Sequence, residues 1–316
     1  MNQTVNVAVV ILTYNESIHL RRAIEHVAPF AKEIFVVDSY STDGTADLAE
    51  SLGAHVIKHP FQNYAKQFQW ALDNAPITTE WVMRLDADEV IESDLAEEIV
   101  RKLPQLPSEV TGINLNRKTI FMGRFIRYGG RYPLMLLRIW RRRKALIEDR
   151  WMDEHMYLTE GRTVTFEGGF ADHNLMDLTF FTAKHNRYAS REALDVLNQR
   201  LHLFAPRIDL TSVPTTRQAQ IKRFVKEAVY NKVPYQLSAL AYFIFRYIFC
   251  LGFLDGREGL VYHVLQGFWV RFLIGAKVEE LETAVRKASG PDELRDILNR
   301  LTRMQVDSYI ENAVEE

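Results

Sequence analysis

Short apolar runs and amphipathic stripes alternate along the first part of the chain. Val5-Asn6-Val7-Ala8-Val9-Val10-Ile11-Leu12 is a β-branched run, the pattern of a strand buried on both faces. It stops at Thr13-Tyr14-Asn15-Glu16. Leu20, Ala23, Ile24 and Val27 then share one helical stripe, with Asn15 or Ser17 as N-cap and Pro29 ending the helix. Ile34-Phe35-Val36-Val37-Asp38 reads as a second strand closing on an acid. After a turn from Ser39 to Gly44, a helix over Thr45 to Leu52 is stopped by Gly53. His55 to Lys58 reads as a third strand, and Ala65, Phe68 and Leu72 stripe a third helix. A fourth strand, Trp81 to Leu85, runs into Asp86-Ala87-Asp88-Glu89.

Strands alternating with helices predict right-handed βαβ units and a mostly parallel sheet. Such sheets bind ligands beyond the carboxyl ends of their strands. Thr13 to Glu16, Asp38, and Asp86 to Glu89 each follow such an end, so three polar clusters converge on one crevice. In extended backbone Asp86 and Asp88 face the same side. Carboxylates that close repel unless a cation or proton lies between them, and Mg²⁺ or Mn²⁺ suits an oxygen site. The alternative is a solvated acidic turn before a helix starting near Ser93. Neither G-x-G-x-x-G nor a P-loop follows the first strand, which counts against a dehydrogenase and a P-loop hydrolase. A nucleotide can still bind where a metal neutralises its phosphates.

Composition narrows the class without naming it. The 316 residues are 47% hydrophobic and 25% charged, enough for one large domain or two small ones. A net charge of −2 argues against a general nucleic-acid binder. The single cysteine, Cys250, excludes an internal disulfide framework and suits a reducing compartment. The run Val7 to Leu12 is too short for a signal peptide and lacks a cationic lead.

Thr13-Tyr14-Asn15-Glu16, then Val36-Val37-Asp38-Ser39 with Thr42-Asp43-Gly44-Thr45, then Leu85-Asp86-Ala87-Asp88-Glu89, resemble the family 2 glycosyltransferases of GT-A fold. Lys66 within Asn63-Tyr64-Ala65-Lys66-Gln67 resembles the bacterial branch that decorates lipopolysaccharide cores and exopolysaccharides. The resemblance implies a Rossmann-like, mostly parallel sheet flanked by helices. It implies that Thr13, Tyr14, Asn15 and Glu16 wall a nucleoside pocket and that Asp38 binds the base. Asp86 would contact ribose or metal, Asp88 would hold Mn²⁺ or Mg²⁺ on the diphosphate, and Lys66 and Arg84 would lie near the phosphates. UDP is favoured by family habit. On the residues alone, Tyr14 could simply pack, Asp38 could cap a turn and Lys66 could be a solvated helix charge.

Downstream, Ser93 to Leu103 reads as an amphipathic helix, Ile113 to Lys118 and Leu134 to Trp140 as strands, and Phe166 to His173 as a strand entering a turn. Residues 124–150 are strongly basic, either a solvated face or a surface for anionic lipid headgroups or an acceptor's diphosphate. Trp151-Met152-Asp153-Glu154-His155 resembles the family's acidic acceptor motif. Asp153 is the expected base, Glu154 the close competitor and Glu148-Asp149 a weaker rival. His173 is the candidate late histidine for metal or diphosphate, with His185 second. Arg150-Trp151 lacks the glutamine of the processive synthases' Gln-x-x-Arg-Trp motif, so one sugar is expected per acceptor.

Thr182 to His202 and the Ile221 to Val229 stripe read as helices, followed by apolar stretches at Leu237 to Leu254 and Leu260 to Ile274. A spanning helix needs about 20 apolar residues with few charges. Here Arg246, His263 and Arg271 interrupt, so helices lying in the membrane interface are expected, or else a buried helical pair. The expected organisation is a catalytic domain over 1–205, with a nucleotide-sugar half 1–110 and an acceptor half 111–205. A membrane-associating helical region would follow over 206–316. The expected activity is inverting, metal-assisted transfer to a lipid-linked saccharide or lipopolysaccharide at the cytoplasmic face of a bacterial inner membrane. The rivals are a nucleotidyltransferase, whose lysine-rich activating loop is missing, and an inactive membrane-bound scaffold with a nucleotide pocket.

Overall fold

A computed structural model describes residues 4–148, 155–201, 203, 233–304 and 306. The predicted alternation is present: β1 (Val5–Thr13), α1 (Ser17–Val27), β2 (Ala31–Asp38), α2 (Thr45–Ser51), β3 (His55–Lys58), α3 (Tyr64–Asn74) and β4 (Trp81–Asp86). Then come β5 (Glu89–Ile91), α4 (Ser93–Lys102), β6 (Val110–Phe121), β7 (Arg124–Phe125), β8 (Met135–Arg141), β9 (Ala145–Ile147), β10 (Met156–Leu158), β11 (Arg162–Thr165) and β12 (Phe170–Asp172). The ten-stranded sheet runs β3-β2-β1-β4-β8-β6-β12-β5, with β7 and β11 also paired to β6. The first four strands on that path are mutually parallel, and β8 joins β4 antiparallel. β9 and β10 form a separate hairpin.

β1 shows why the run has no polar alternation. Val7, Val9 and Ile11 pack with Leu20, Ile24, Leu95 and Ile99 on one face. Ala8 and Val10 pack with Ala65, Phe68, Ala71 and Trp140 on the other. Helices α1 and α4 thus cover one side, while α3 and the β9–β10 hairpin cover the other. The stripe expected on α1 is the one buried: Leu20, Ala23, Ile24 and Val27.

Two local expectations are corrected. Neither Asn15 nor Ser17 caps α1. The caps come from the β2–α2 loop: Asp43 Oδ2 accepts from Ser17 N (3.1 Å) and Thr45 Oγ1 from Glu16 N (2.9 Å). Asn15 sits at a φ of 55°, and its Oδ1 accepts from Thr42 N (2.9 Å). Of the strand expected over Phe166 to His173, only Phe170–Asp172 (β12) is extended sheet, since β11 ends at Thr165 and residues 166–169 are irregular. Glu98 Oε2 accepts from Glu167 N and Gly168 N, both at 2.8 Å, and Asp94 Oδ1 from Gly169 N at 3.0 Å. Side chains of α4 therefore take the backbone donors a neighbouring strand would have used. Gly168 is required there, since a Cβ would lie 2.3 Å from Leu95 Cα.

Two compact units result: Met1–Leu175 with Leu254–Glu258, and Met176–Phe253 with Gly259–Glu316. The second contains α5 (Leu178–Leu201), α6 (Tyr235–Ile244), most of α7 (Gly256–Tyr262), α8 (Val270–Val285) and α9 (Pro291–Thr302). Ala193, Leu194, Leu197, Val278, Leu281 and Leu298 form its core. π-helical segments occupy Phe245–Phe249 and His263–Trp269. Among the described residues no single helix is long and apolar enough to cross a membrane. Tyr235–Phe249 and Gly252–Val285 pass that test only as a pair bent by 72°. Arg246 is buried inside the apolar stretch, donating to Gln266 Oε1 (2.5 Å) and lying over the rings of Tyr242 and Tyr262. Leu237, Phe245, Ile248 and Phe249 face outward, Phe249 at 74% exposure. The Ile221 to Val229 stripe lies outside the described residues.

Asp43 supplies the fold's pH signature. Its slight burial pushes the carboxyl up, but hydrogen bonds from Thr45 and Ser17 outweigh this and hold it at about 2. A depressed carboxylate stabilises above its ordinary value, and the benefit is lost as pH falls through the folded value. Asp43→Ala is expected to cost about 1 kcal/mol at neutral pH. In urea unfolding, the gap to wild type should close as pH drops from the ordinary carboxylate range towards about 2.

Candidate active site

Strand register builds the site. Thr13 pairs with Asp38 across β1 and β2, and Leu12 pairs with Asp86 across β1 and β4. The tips of three adjacent parallel strands therefore carry Thr13, Asp38 and Asp86 at nearly one level. Asp38 is fully buried and accepts from Thr13 Oγ1 (2.9 Å), Ser41 N (2.8 Å) and Ser41 Oγ (2.5 Å). It closes the turn after β2 through Ser41. Tyr14 is 62% exposed. Asn15 is pinned to the Ser41–Thr42 turn, and Glu16 Oε2 meets His19 Nδ1 at 2.6 Å. Lys66 projects to solvent from the first turn of α3, which Asn63 caps.

The acidic triplet departs from the extended geometry expected for it. β4 ends at Asp86, residues 87–88 turn, and β5 begins at Glu89, so the alternation that would align Asp86 with Asp88 does not apply. Asp86 accepts from the Tyr64 hydroxyl and lies 3.3 Å from Arg138 Nη2 and 3.5 Å from Arg84 Nε. Arg138 Nη2 also reaches Glu89 Oε1 at 2.6 Å, and Glu89 Oε2 accepts from Asp86 N at 2.9 Å. Arg84 lies over the Tyr64 ring, 4.3 Å from its centroid. Arg117 stands 3.9 Å from Glu89 and 3.8 Å from Asp172. The positive charge demanded at this strand end is supplied largely by the protein's own guanidiniums.

These contacts set the protonation states. Burial pushes Asp86 up, but Arg84, Arg138 and the Tyr64 hydroxyl hold it well below the usual carboxylate range. Burial pushes Glu89 up more than Arg138 pulls it down, and the charge on Asp86 adds to the rise. Burial also raises the Tyr64 hydroxyl far above its ordinary value, against the pull of Arg84, so it remains a donor.

Asp88 points elsewhere. Its Oδ2 accepts from Asn174 Nδ2 (2.9 Å), its carbonyl accepts from His173 N (2.9 Å), and it makes no ion pair among the described residues. His173 follows β12. Arg22, from α1, donates to its carbonyl (2.5 Å) and meets its Nδ1 at 3.0 Å. Burial, with the charge of Arg22, lowers the His173 imidazole below its ordinary value. No group of three or more His, Cys, Asp or Glu among the described residues could hold a metal ion. A hard cation bridging one carboxylate to a ligand's phosphates needs no such group. The unshared Oδ1 of Asp88 fits that role, whereas the oxygens of Asp86 are already engaged.

The tips of β1, β2 and β4 thus carry Thr13, Asp38 and Asp86, with Asp88 in the turn beyond β4. Asp153 and Glu154 lie outside the described residues. The hairpin that carries them is closed at its neck, where Glu148 N donates to His155 O (2.9 Å) and Ile147 pairs with Met156. Glu148, the weaker rival, is buried at that neck. His185 hydrogen-bonds within α5, to Phe181 O. Sequence reasoning missed Tyr64, Glu89, Arg138 and Arg22. Arg138 carried a signal: a lone cation between Leu137 and Ile139 must find an acid when buried. The basic stretch also separates into parts. Arg124, Arg138, Arg141 and Lys144 pair with acids, while Arg127, Arg142 and Arg143 are exposed.

In α/β sheets ligands bind beyond the carboxyl ends of parallel strands, which is where these acids and hydroxyls gather. Residues 8–164 match the profile of glycosyl transferase family 2, so the chain carries a domain of that family, of GT-A fold. A glycosyltransferase of Rickettsia bellii is 40% identical over 96 residues, which is 30% of this chain and 32% of the relative. The chain spans about a third of the length of the curated relatives it first matches. The lipopolysaccharide core biosynthesis glycosyltransferase LpsC of Rhizobium meliloti is 33% identical over 118 residues, 36% of this chain and 42% of the relative. Among solved structures, glucosyl-3-phosphoglycerate synthase from Mycobacterium tuberculosis, in complex with Mn²⁺, UDP and glucosyl-3-phosphoglycerate, matches at TM-score 0.31. It is 20% identical and covers 37% of this chain and 44% of that one.

Arg138→Met would leave Glu89 a buried acid without its cation and take one of two guanidiniums from the partly exposed Asp86. A loss of about 3–5 kcal/mol is expected in urea denaturation. Adding Glu89→Gln should restore part of it.

Proposed function

We propose that the protein is an inverting glycosyltransferase that moves one sugar from a nucleotide-diphospho-sugar to a lipid-linked saccharide or lipopolysaccharide-type acceptor. The observation that carries the reading is the family 2 domain together with Asp38 and Asp86 at the tips of β2 and β4, two strands apart, with Asp88 in the turn beyond β4. Adjacent strands lie about 4.8 Å apart, so that spacing, about 10 Å, suits a nucleoside at one end and its diphosphate at the other. Thr13, Tyr14, Asn15 and Glu16 line the nucleoside side, and Asp38 accepts from the base. Asp86, oriented by Tyr64, Arg84 and Arg138, faces the ribose. Asp88 would hold Mg²⁺ or Mn²⁺ against the diphosphate, with Lys66 near the phosphates. Such an ion, when bound, neutralises the charge that builds on the leaving diphosphate. Asp153, or Glu154, takes the proton from the acceptor hydroxyl as its oxygen bonds to the anomeric carbon. The bond from that carbon to the diphosphate breaks, and the nucleoside diphosphate leaves. UDP is the first donor base to test.

The acceptor assignment draws on the similarity to LpsC and on the outward-facing Leu237, Phe245, Ile248 and Phe249. In this reading the bent helical pair lies in the interface at the cytoplasmic face of the inner membrane, its aromatics among the headgroups.

Calorimetry with UDP and Mn²⁺ tests the donor site. Asp88→Ala should lose at least about tenfold in affinity, and its dependence on Mn²⁺, while melting normally. Unchanged metal-dependent binding would remove the metal role of Asp88. The membrane reading is checked by flotation with anionic phospholipid vesicles. Full-length protein should float, and the Phe245→Ser/Phe249→Ser double variant should largely remain at the bottom.

A further inference from the structure

The sheet has a second concavity at the end away from the acids. A cavity of about 390 Å³ lies between α3, the start of β4 and the β8–β9 turn. Val82 lines it, and Asp86 ends the same strand four residues on, about 13 Å away at about 3.3 Å per residue. The floor is apolar: Val82, Trp140 and Ile77 are buried there, and Leu72 and Ala145 add apolar walls. The mouth is cationic, with Arg142 and Arg143 both exposed. Their neighbours in the turn are occupied, Arg141 with Glu80 and Lys144 with Glu160. Arg142 and Arg143 make no ion pair among the described residues. Asp73 is the acid of the lining, and it accepts from Gln69 Nε2 (3.0 Å). Two guanidiniums thus stand against one carboxylate. Arg143 also holds φ at 65°, a conformation that Asn or Gly adopts at lower energy. Cations kept in a strained turn above an apolar floor have the form of a ligand clamp.

We infer that this cavity binds an anionic amphiphile, a hydrocarbon chain ending in a phosphate monoester or a carboxylate. The floor takes the chain, and Arg142 and Arg143 grip the head. At about 30 Å³ for each water-sized group the volume holds about a dozen, the size of a roughly eight-carbon chain with its head. A neutral hydrocarbon would leave both guanidiniums unused. A sugar or nucleotide would press hydroxyls without partners against Trp140 and Val82. Guanidiniums suit phosphate and carboxylate alike, through paired N–H groups. The site lies apart from the strand-end crevice and does not depend on what binds there. Its walls nevertheless belong to elements that reach the crevice: α3 starts at Tyr64, which donates to Asp86, and Ala145 opens the β9–β10 hairpin.

Calorimetry on the full chain with octyl phosphate, octanoate and octanol, each below its micelle concentration, tests the inference. At least one of the two anions should bind at one site per chain, about tenfold or more tighter than octanol. Arg142→Ser/Arg143→Asn, both at exposed positions, should bring the anions down to the affinity of octanol and leave octanol unchanged. Ala75→Trp, which fills the cavity from the end of α3, should abolish one-site binding of all three. If that variant melts far below wild type, the arginine pair decides alone. The Phe245→Ser/Phe249→Ser variant should bind as wild type does. Equal affinity for octanol and the anions, an undiminished arginine double variant, loss of binding in the phenylalanine variant, or no anion bound by wild type would each overturn the inference. Tighter binding of octyl phosphate than of octanoate assigns a phosphate-headed lipid, and the reverse order a fatty acid.

Discussion

The Arg138 guanidinium held between Asp86 and Glu89 is the contact on which the ligand edge depends. Three acids within four residues at a strand end would drive the chain apart unless countercharge were close. β8 delivers that charge from beside β4, flanked in the strand by Leu136, Leu137, Ile139 and Trp140. Asp86 is thereby fixed in orientation, and Glu89 can start a strand while buried. Asp88, the second residue of the turn, takes no part in the Arg84 and Arg138 contacts and instead feels the charge of Arg22. A divergent set of three acids becomes two that shape the crevice and one with an oxygen to offer.

The opposite wall is held by exchange between loops. The turn after β2 caps α1 through Asp43 and Thr45, while Asn15 accepts from Thr42 in return. Asp38 ties Thr13 and Ser41 into the same lattice. Thr13, Asn15 and Asp38 are thus set by hydrogen bonds between two strand-to-helix connections, not by either loop alone. Preorganisation of this kind lowers the ordering cost of binding.

Much of this was legible in the sequence because it follows from periodicity. The unbroken run in β1 announced a strand with two dry faces, and the stripe on α1 announced its buried side. The ends of β1, β2 and β4 announced where polar residues would gather. What was illegible depends on contacts between distant segments. The trans caps on α1 cannot be read from residues 15–17, because the donors they satisfy are matched by residues 43 and 45. The alignment of Asp86 with Asp88 failed because two-residue periodicity assumes a strand that in fact stops at Asp86. Arg138 looked like one more cation in a basic stretch. Only the apolar neighbours on either side distinguished it, and they were read as strand pattern alone. The acids expected to act on the acceptor fall outside the described residues, so the structure adds their anchorage and nothing further.

That anchorage has a consequence for how such a protein can diverge. The β9–β10 hairpin is zipped below its tip by the Ile147–Met156 pair and the Glu148–His155 bond, and its inner residues sit in the core beside Trp140. Since lengthening a closed loop adds only slowly to its entropic cost, the tip can gain or lose residues with little strain on the sheet. Under the proposed reading, in which Asp153 or Glu154 acts on the acceptor, acceptor choice can drift through that tip while the strand-end acids stay constant.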